Sequence, residues 1–275
     1  MRPERRRVTL RPASSRYPIV IAVVAFLILL VAGGIRSASG VLLVPLEHAM
    51  GWSVASISVA VALNIALYGA VGPFAAAFME SLGVRKMTVV ALVLMAVSTA
   101  ASALVMTPAQ LALTWGVGVG LGVGFISMVF AAIIATRWFS AGRGLVYGAL
   151  TGASAAGQLI FLPLLAWTAQ SFGWRSVGFV CAATALLVAI PVALLMRDRP
   201  ESIGIRRFGE DASTPLAATA PVRHGTNPFR NTFAVLGRAS RSRDFWLVAG
   251  TFFVCGATTN GYIGTHFMAM CGDVG

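Results

Sequence analysis

The chain has 275 residues, 57% of them hydrophobic and only 11% charged, with a mean hydropathy of +0.83. So few charges cannot cover the surface of a soluble domain of this size, which excludes the soluble globular classes. The net charge of +12 would suit a nucleic-acid binder, but nearly all the basic residues lie outside the long apolar runs, in the N-terminus and the loops on one side, a distribution that argues against that partner.

Seven apolar runs are long enough to span a bilayer: 18–46, 53–79, 86–106, 109–136, 144–171, 175–196 and 244–270. The first follows a basic N-terminus. Arg5–Arg7 ahead of an apolar run resembles a secretion signal, yet no convincing small-x-small cleavage site precedes Arg36 and at least five further spans follow. An uncleaved first span is expected. Tyr17 to Glu47 would be roughly 45 Å long as a helix, at about 1.5 Å per residue. Arg36 lies inside it with no acid within ten residues. A charge there costs at least ~2.5–3.5 kcal/mol on insertion scales, so it belongs in a polar cavity near the midplane rather than in lipid. A fixed positive charge at that depth suggests a path for an anion.

The fourth run carries Gly116, Gly120 and Gly124 on one face, with Gly118 and Gly122 beside it. The fifth repeats the four-residue period with Gly144, Gly148, Gly152 and Ala156. Between membrane helices, which lipid does not drive together, such residues permit close packing, and smooth faces would also let helices slide. Pro73 and Pro163 are expected to kink their spans. Trp52, Trp138, Trp174 and Trp246 fall at span ends, where interfacial anchors sit. Cys181, Cys255 and Cys271 lie in or near apolar spans without metal spacing and read as packing residues.

Charge sets the orientation. Of 21 Lys and Arg, six precede the first span, two follow the second (Arg85, Lys86), two lie between the fourth and fifth (Arg137, Arg143) and nine between the sixth and seventh. Arg175 occupies a loop on the other side. The positive-inside rule then predicts a multi-pass protein of the cell (inner or plasma) membrane with a cytoplasmic N-terminus. The 197–243 stretch is polar, and its Ser213–Pro221 part reads as flexible linker. The expected organisation is a cytoplasmic N-terminus (1–17), a six-helix block (18–196), a cytoplasmic linker (197–243) and a further span (244–275). There is no GxSxG, HExxH or CxxC motif, so neither an enzyme nor a cofactor is expected.

Several strings in order carry a resemblance. They are Gly34-Ile35-Arg36-Ser37, Pro45-Leu46 and Gly51-Trp52-Ser53, then Asn64, Tyr68 and Gly72-Pro73. Next come Arg137-Trp138-Phe139, Arg143-Gly144, Gly173-Trp174-Arg175 and Arg197-Asp198-Arg199-Pro200-Glu201. The seventh span adds Phe252–Gly256, Thr258–Gly261 and Gly264-Thr265-His266. Together they resemble the major facilitator superfamily in its monocarboxylate and oxalate–formate-like branch. The resemblance implies an all-α membrane bundle: the N-terminal six-helix half plus the first helix of an incomplete C-terminal half. Such a carrier moves a small organic anion, a monocarboxylate, by alternating access, with a proton or counter-anion as coupling partner. A chain truncated after the seventh helix, lacking its C-terminal half, is expected not to transport by itself. The alternative is a non-transporting membrane module or truncated product.

The resemblance places substrate at the midplane between the halves. Arg36 would then pair with a carboxylate through its guanidinium fork. Asn64 and Tyr68, four apart, share a helix face and would line the cavity or hydrogen-bond a neighbouring helix. Gln158 and Asn260 are further lining candidates, and His266 is the candidate for proton coupling. The superfamily's Gly-x-x-x-Asp-Arg-x-Gly-x-Arg loop aligns with Ala76–Arg85. Glu80 replaces its Asp, Gly83 and Arg85 match, and Ala76 and Ser81 depart. Glu80 and Arg85 would act as a cytoplasmic gate or be an exposed loop pair. The arginine of drug–proton antiporters in the fourth helix is absent.

Overall fold

A computed structural model of the chain describes residues 16–210 and 228–259. The helices are α1 (Tyr17–Met50), α2 (Val54–Ser81) and α3 (Val84–Ser102), then α4 (Pro108–Leu111), α5 (Gly120–Phe125) and α6 (Met128–Trp138). There follow α7 (Arg143–Phe172), α8 (Trp174–Leu195), α9 (Pro228–Ala239) and α10 (Arg243–Gly256). A π-helical stretch, Ala112–Val119, joins α4 to α5. Six candidate spans result, the fourth running from Pro108 to Trp138. They coincide with the first six expected runs to within a few residues. Of the seventh, residues up to 259 are described, beginning with α10. No strand forms among the described residues, and the architecture is an all-α membrane bundle.

Local chemistry sets the helix ends. Gly51 closes α1 in the left-handed region (φ +66°), its N–H bonding to Glu47 O, and Ser53 then caps α2 by accepting from Ser56 N at 3.3 Å. Thr107 and Gln110 form a capping box at α4. Large side chains such as Val97, Leu145, Leu159 and Leu187 are more than 60% exposed. Water would penalise each by about 1.5–3 kcal/mol, whereas acyl chains do not.

The helices pack in pairs: α1 on α7, α3 on α8, and α2 on the fourth span. Glycine sets two of these interfaces. A Cβ on Gly157 would stand 1.9 Å from Leu30 O, and one on Gly33 would stand 2.1 Å from Ser154 O. Backbone therefore meets backbone where α1 crosses α7. In the fourth span the two glycine rows serve two partners: Gly116, Gly120 and Gly124 meet α2, while Gly118 and Gly122 meet α3. The fifth span corrects the expectation. Gly144, Gly148 and Gly152 have nothing within 4 Å among the described residues, and the close approach is made by Gly157 instead.

Other features were not expected from the sequence. The fourth span breaks at Ile126–Ser127, which contains no proline, while α2 and α7 carry Pro73 and Pro163 inside them. Trp138 is not an interfacial anchor. It is fully buried, 5.9 Å from the Tyr17 ring between centroids, because α1 covers the end of α6. Cys181 is fully buried as expected, but Cys255 is exposed, and Cys271 lies outside the described residues. The 197–243 stretch also holds more structure than a linker needs. Helix α9 packs on α2, with the Phe233 ring 5.5 Å from Phe74. Ser213–Pro221 lies outside the described residues.

The segment after α8 binds the loops at one end of the bundle. Asp198 Oδ1 accepts from Arg85 N at 2.9 Å and so caps α3, whose own N-cap residue, Gly83 (φ +92°), has no side chain to do so. A Cβ on Gly83 would stand 2.9 Å from that carboxylate. The Arg85 guanidinium donates to Ala193 O. Further on, Phe208 N donates to Trp138 O at 2.9 Å, and Ser140 N donates to Phe208 O at 2.8 Å. Tyr17 Oη donates to Leu195 O at 2.5 Å. Asp198→Ala is expected to destabilise the bundle by about 1 kcal/mol, the worth of an N-cap, while Asp198→Asn keeps most of it. Thermal unfolding in detergent reads the difference.

Candidate functional site

The helix pairs line a partly open cavity of about 800 Å³. Its walls come from the middles of α1, α2 and α7, from the break in the fourth span, and from α10. Arg36 of α1 and Tyr68 of α2 meet across it: the guanidinium carbon lies 4.4 Å from the Tyr68 ring centroid. That is a cation–π contact, worth about 0.5–2 kcal/mol depending on desolvation. Both side chains are half-buried, as expected of groups at a cavity wall rather than in lipid. No acidic side chain is among the described residues that line the cavity.

The break sharpens the electrostatics. Ile126 leaves the helical region, Ser127 is extended (φ −105°, ψ −170°), and α6 restarts at Met128. Ser127 Oγ accepts from Val129 N at 3.4 Å. Ile126, Ser127 and Met128 all line the cavity, so the positive end of α6 is at the wall that faces Arg36's cavity. Discontinuous helices aimed at a midplane site are a recurring way to hold an anion in a membrane.

Of the expected lining residues, Arg36, Tyr68 and Gln158 line the cavity. Asn64 does not. It is 9% exposed, and its Nδ2 donates to Trp115 O at 2.8 Å, tying α2 to the fourth span. Of its two readings, the interhelical hydrogen bond is the one the structure makes. The buried amide needs a partner, and the Trp115 carbonyl supplies it. Asn260 and His266 lie outside the described residues. Glu80 is exposed, and among the described residues no ion pair joins it to Arg85, whose guanidinium is held by Ala193 O instead. Thr151 and Ser154 also line the cavity and were missed. Their spacing with Ala155 and Gln158 (151, 154, 155, 158) places them on one face of α7, which could have identified them.

A family model described as Major Facilitator Superfamily matches residues 25–273. The chain belongs to the major facilitator superfamily. Monocarboxylate transporter 14 of Mus musculus is 25% identical over 156 residues, covering 56% of this chain and 30% of that protein. The chain therefore matches less than a third of the length of that curated relative. Membership in the superfamily, with six apolar helices, makes this a multi-pass membrane protein of a transport family and not an enzyme.

Proposed function

We propose that the chain contributes the anion-binding half of a secondary transporter for a small organic anion, a monocarboxylate, that works by alternating access. The observation that carries this is Arg36, stacked on Tyr68 at mid-helix in a cavity with no acidic residue in its described lining. A carboxylate there gains a charge-assisted, bidentate partner, with Tyr68 fixing the guanidinium plane. The N-terminus of α6 favours the same sign of charge. In carriers of this superfamily substrate sits between two repeats, so the seventh span and a C-terminal half would close the cavity. Asn260 would join the lining, and His266 would couple a proton, with counter-anion exchange as the other coupling mode. Glu80, Gly83 and Arg85 would gate the cytoplasmic end.

Calorimetric titration of the chain in nanodiscs with acetate, lactate and benzoate tests this. Saturable binding of at least one acid, lost on Arg36→Ala, is expected; no binding by any of them sinks the proposal. We also propose a cytoplasmic N-terminus, from the bias of basic loops. Ser53 and Ser140 are both exposed. In right-side-out vesicles Ser53→Cys should react with an impermeant thiol reagent and Ser140→Cys should not. Labelling of both, or of Ser140→Cys alone, contradicts the orientation.

A further inference from the structure

We infer that the acid this site accepts has a bulky apolar body, a phenyl ring or a branched chain, and carries a single carboxylate. The inference rests on the proposal that Arg36 pairs with a carboxylate, and it is drawn from the rest of the cavity. Arg36 is the one cationic side chain among the described lining residues. Apart from a few polar groups, the wall is hydrocarbon: Ile65, Val123, Ile126, Met128, Phe252 and Phe253.

The polar groups offer little to a second charge. Thr151 Oγ1 donates back to its own helix, at 3.0 Å from both Tyr147 O and Gly148 O. Ser127 Oγ accepts from Val129 N as the cap of α6, which leaves it one neutral O–H to donate. Asn64, the amide nearest in sequence to Tyr68, is withdrawn to Trp115. Ser154 and Gln158 remain, and both are neutral. Among the described lining residues a second carboxylate would thus meet apolar wall without a cation, which strongly disfavours the charged form.

Size points the same way. A water occupies about 30 Å³ of liquid, so a two- or three-carbon acid fills only the equivalent of a few waters in this cavity of about 800 Å³. It would leave the Ile65, Ile126 and Phe253 surfaces wet. A phenyl or branched body displaces that water, and affinity grows with the apolar area removed from solvent.

The test is calorimetric titration of the chain in nanodiscs with acetate, 4-methylpentanoate, phenylacetate and succinate. Phenylacetate and 4-methylpentanoate should bind at least about tenfold more tightly than acetate, and succinate more weakly than either. Two variants at exposed wall positions separate the size argument from the charge argument. Ala155→Trp narrows the cavity and should weaken phenylacetate about tenfold more than it weakens acetate. Gln158→Arg supplies a second cation and should raise succinate affinity about tenfold. Acetate or succinate binding as tightly as phenylacetate to the unmodified chain overturns the inference and leaves the carboxylate proposal standing. Failure of every acid to bind overturns both.

Discussion

Arg36→Ala is expected to weaken monocarboxylate binding by about 100-fold or more while leaving the bundle folded. The guanidinium is the one positive side chain in the described lining, so nothing there replaces it. A charge-assisted hydrogen bond is worth about 1.5–3 kcal/mol, and a bidentate pair exceeds a single one. The fold should tolerate the change because Arg36 is half-buried at a cavity wall rather than part of the packed core. Arg36→Lys should fall between, losing about tenfold, since an ammonium lacks the planar fork and stacks less well on Tyr68. Titration in nanodiscs, with circular dichroism as the folding control, reads both. Wild-type affinity in Arg36→Ala would remove the cavity from any anion-binding role.

Gly157→Leu should have the largest effect on the fold. The added Cβ alone would sit 1.9 Å from Leu30 O, and that neighbour is backbone of a long helix, which cannot rotate aside as a side chain can. The α1–α7 crossing must open, and Gly33 and Ser154 then lose contact with each other. A destabilisation of at least about 3 kcal/mol is expected, at the upper end of overpacking penalties. Gly148→Leu is the matched control. Among the described residues nothing stands within 4 Å of its Cβ position, so its effect should stay within about 0.5 kcal/mol. Fluorescence-detected gel filtration after heating separates the two. Equal melting would mean that α1 and α7 do not cross at these glycines.

The legible parts of the sequence were those in which one residue type breaks a strong background. Arg36 stands out because a lone charge interrupts an apolar run, and Tyr68 because an aromatic hydroxyl follows on the next helix. The spans themselves were readable from hydropathy to within a few residues. Asn64 was not, because four-residue spacing fixes a shared helix face but not the neighbour that face meets. Only the packing of the fourth span on α2 offers it the Trp115 carbonyl. The same limit explains the glycines. Two spans carry the same four-residue period, yet one row packs and the other faces open space among the described residues.

Long-range satisfaction was the other blind spot. Asp198 enters the sequence reading only within the resemblance string Arg197–Glu201, but it caps a helix 113 residues earlier in the chain. The break at Ser127 has no proline to announce it, while proline-bearing spans run on, because in a bilayer neighbouring helices re-satisfy freed backbone groups. Helix α9 was read as linker because it is short and follows a polar stretch. Its alternation of Phe, Leu and Arg at helical spacing was the signal available.

The central claim is that a carboxylate docks on Arg36. It is tested most directly by solid-state NMR on the chain in lipid, with guanidinium nitrogens labelled with ¹⁵N and phenylacetate labelled with ¹³C at the carboxyl. A carboxylate held by the Arg36 fork should give a carbon–nitrogen distance of about 4 Å or less, and the signal should vanish in Arg36→Lys, which has no guanidinium. Bound acid showing no dephasing from Arg36 would contradict the account.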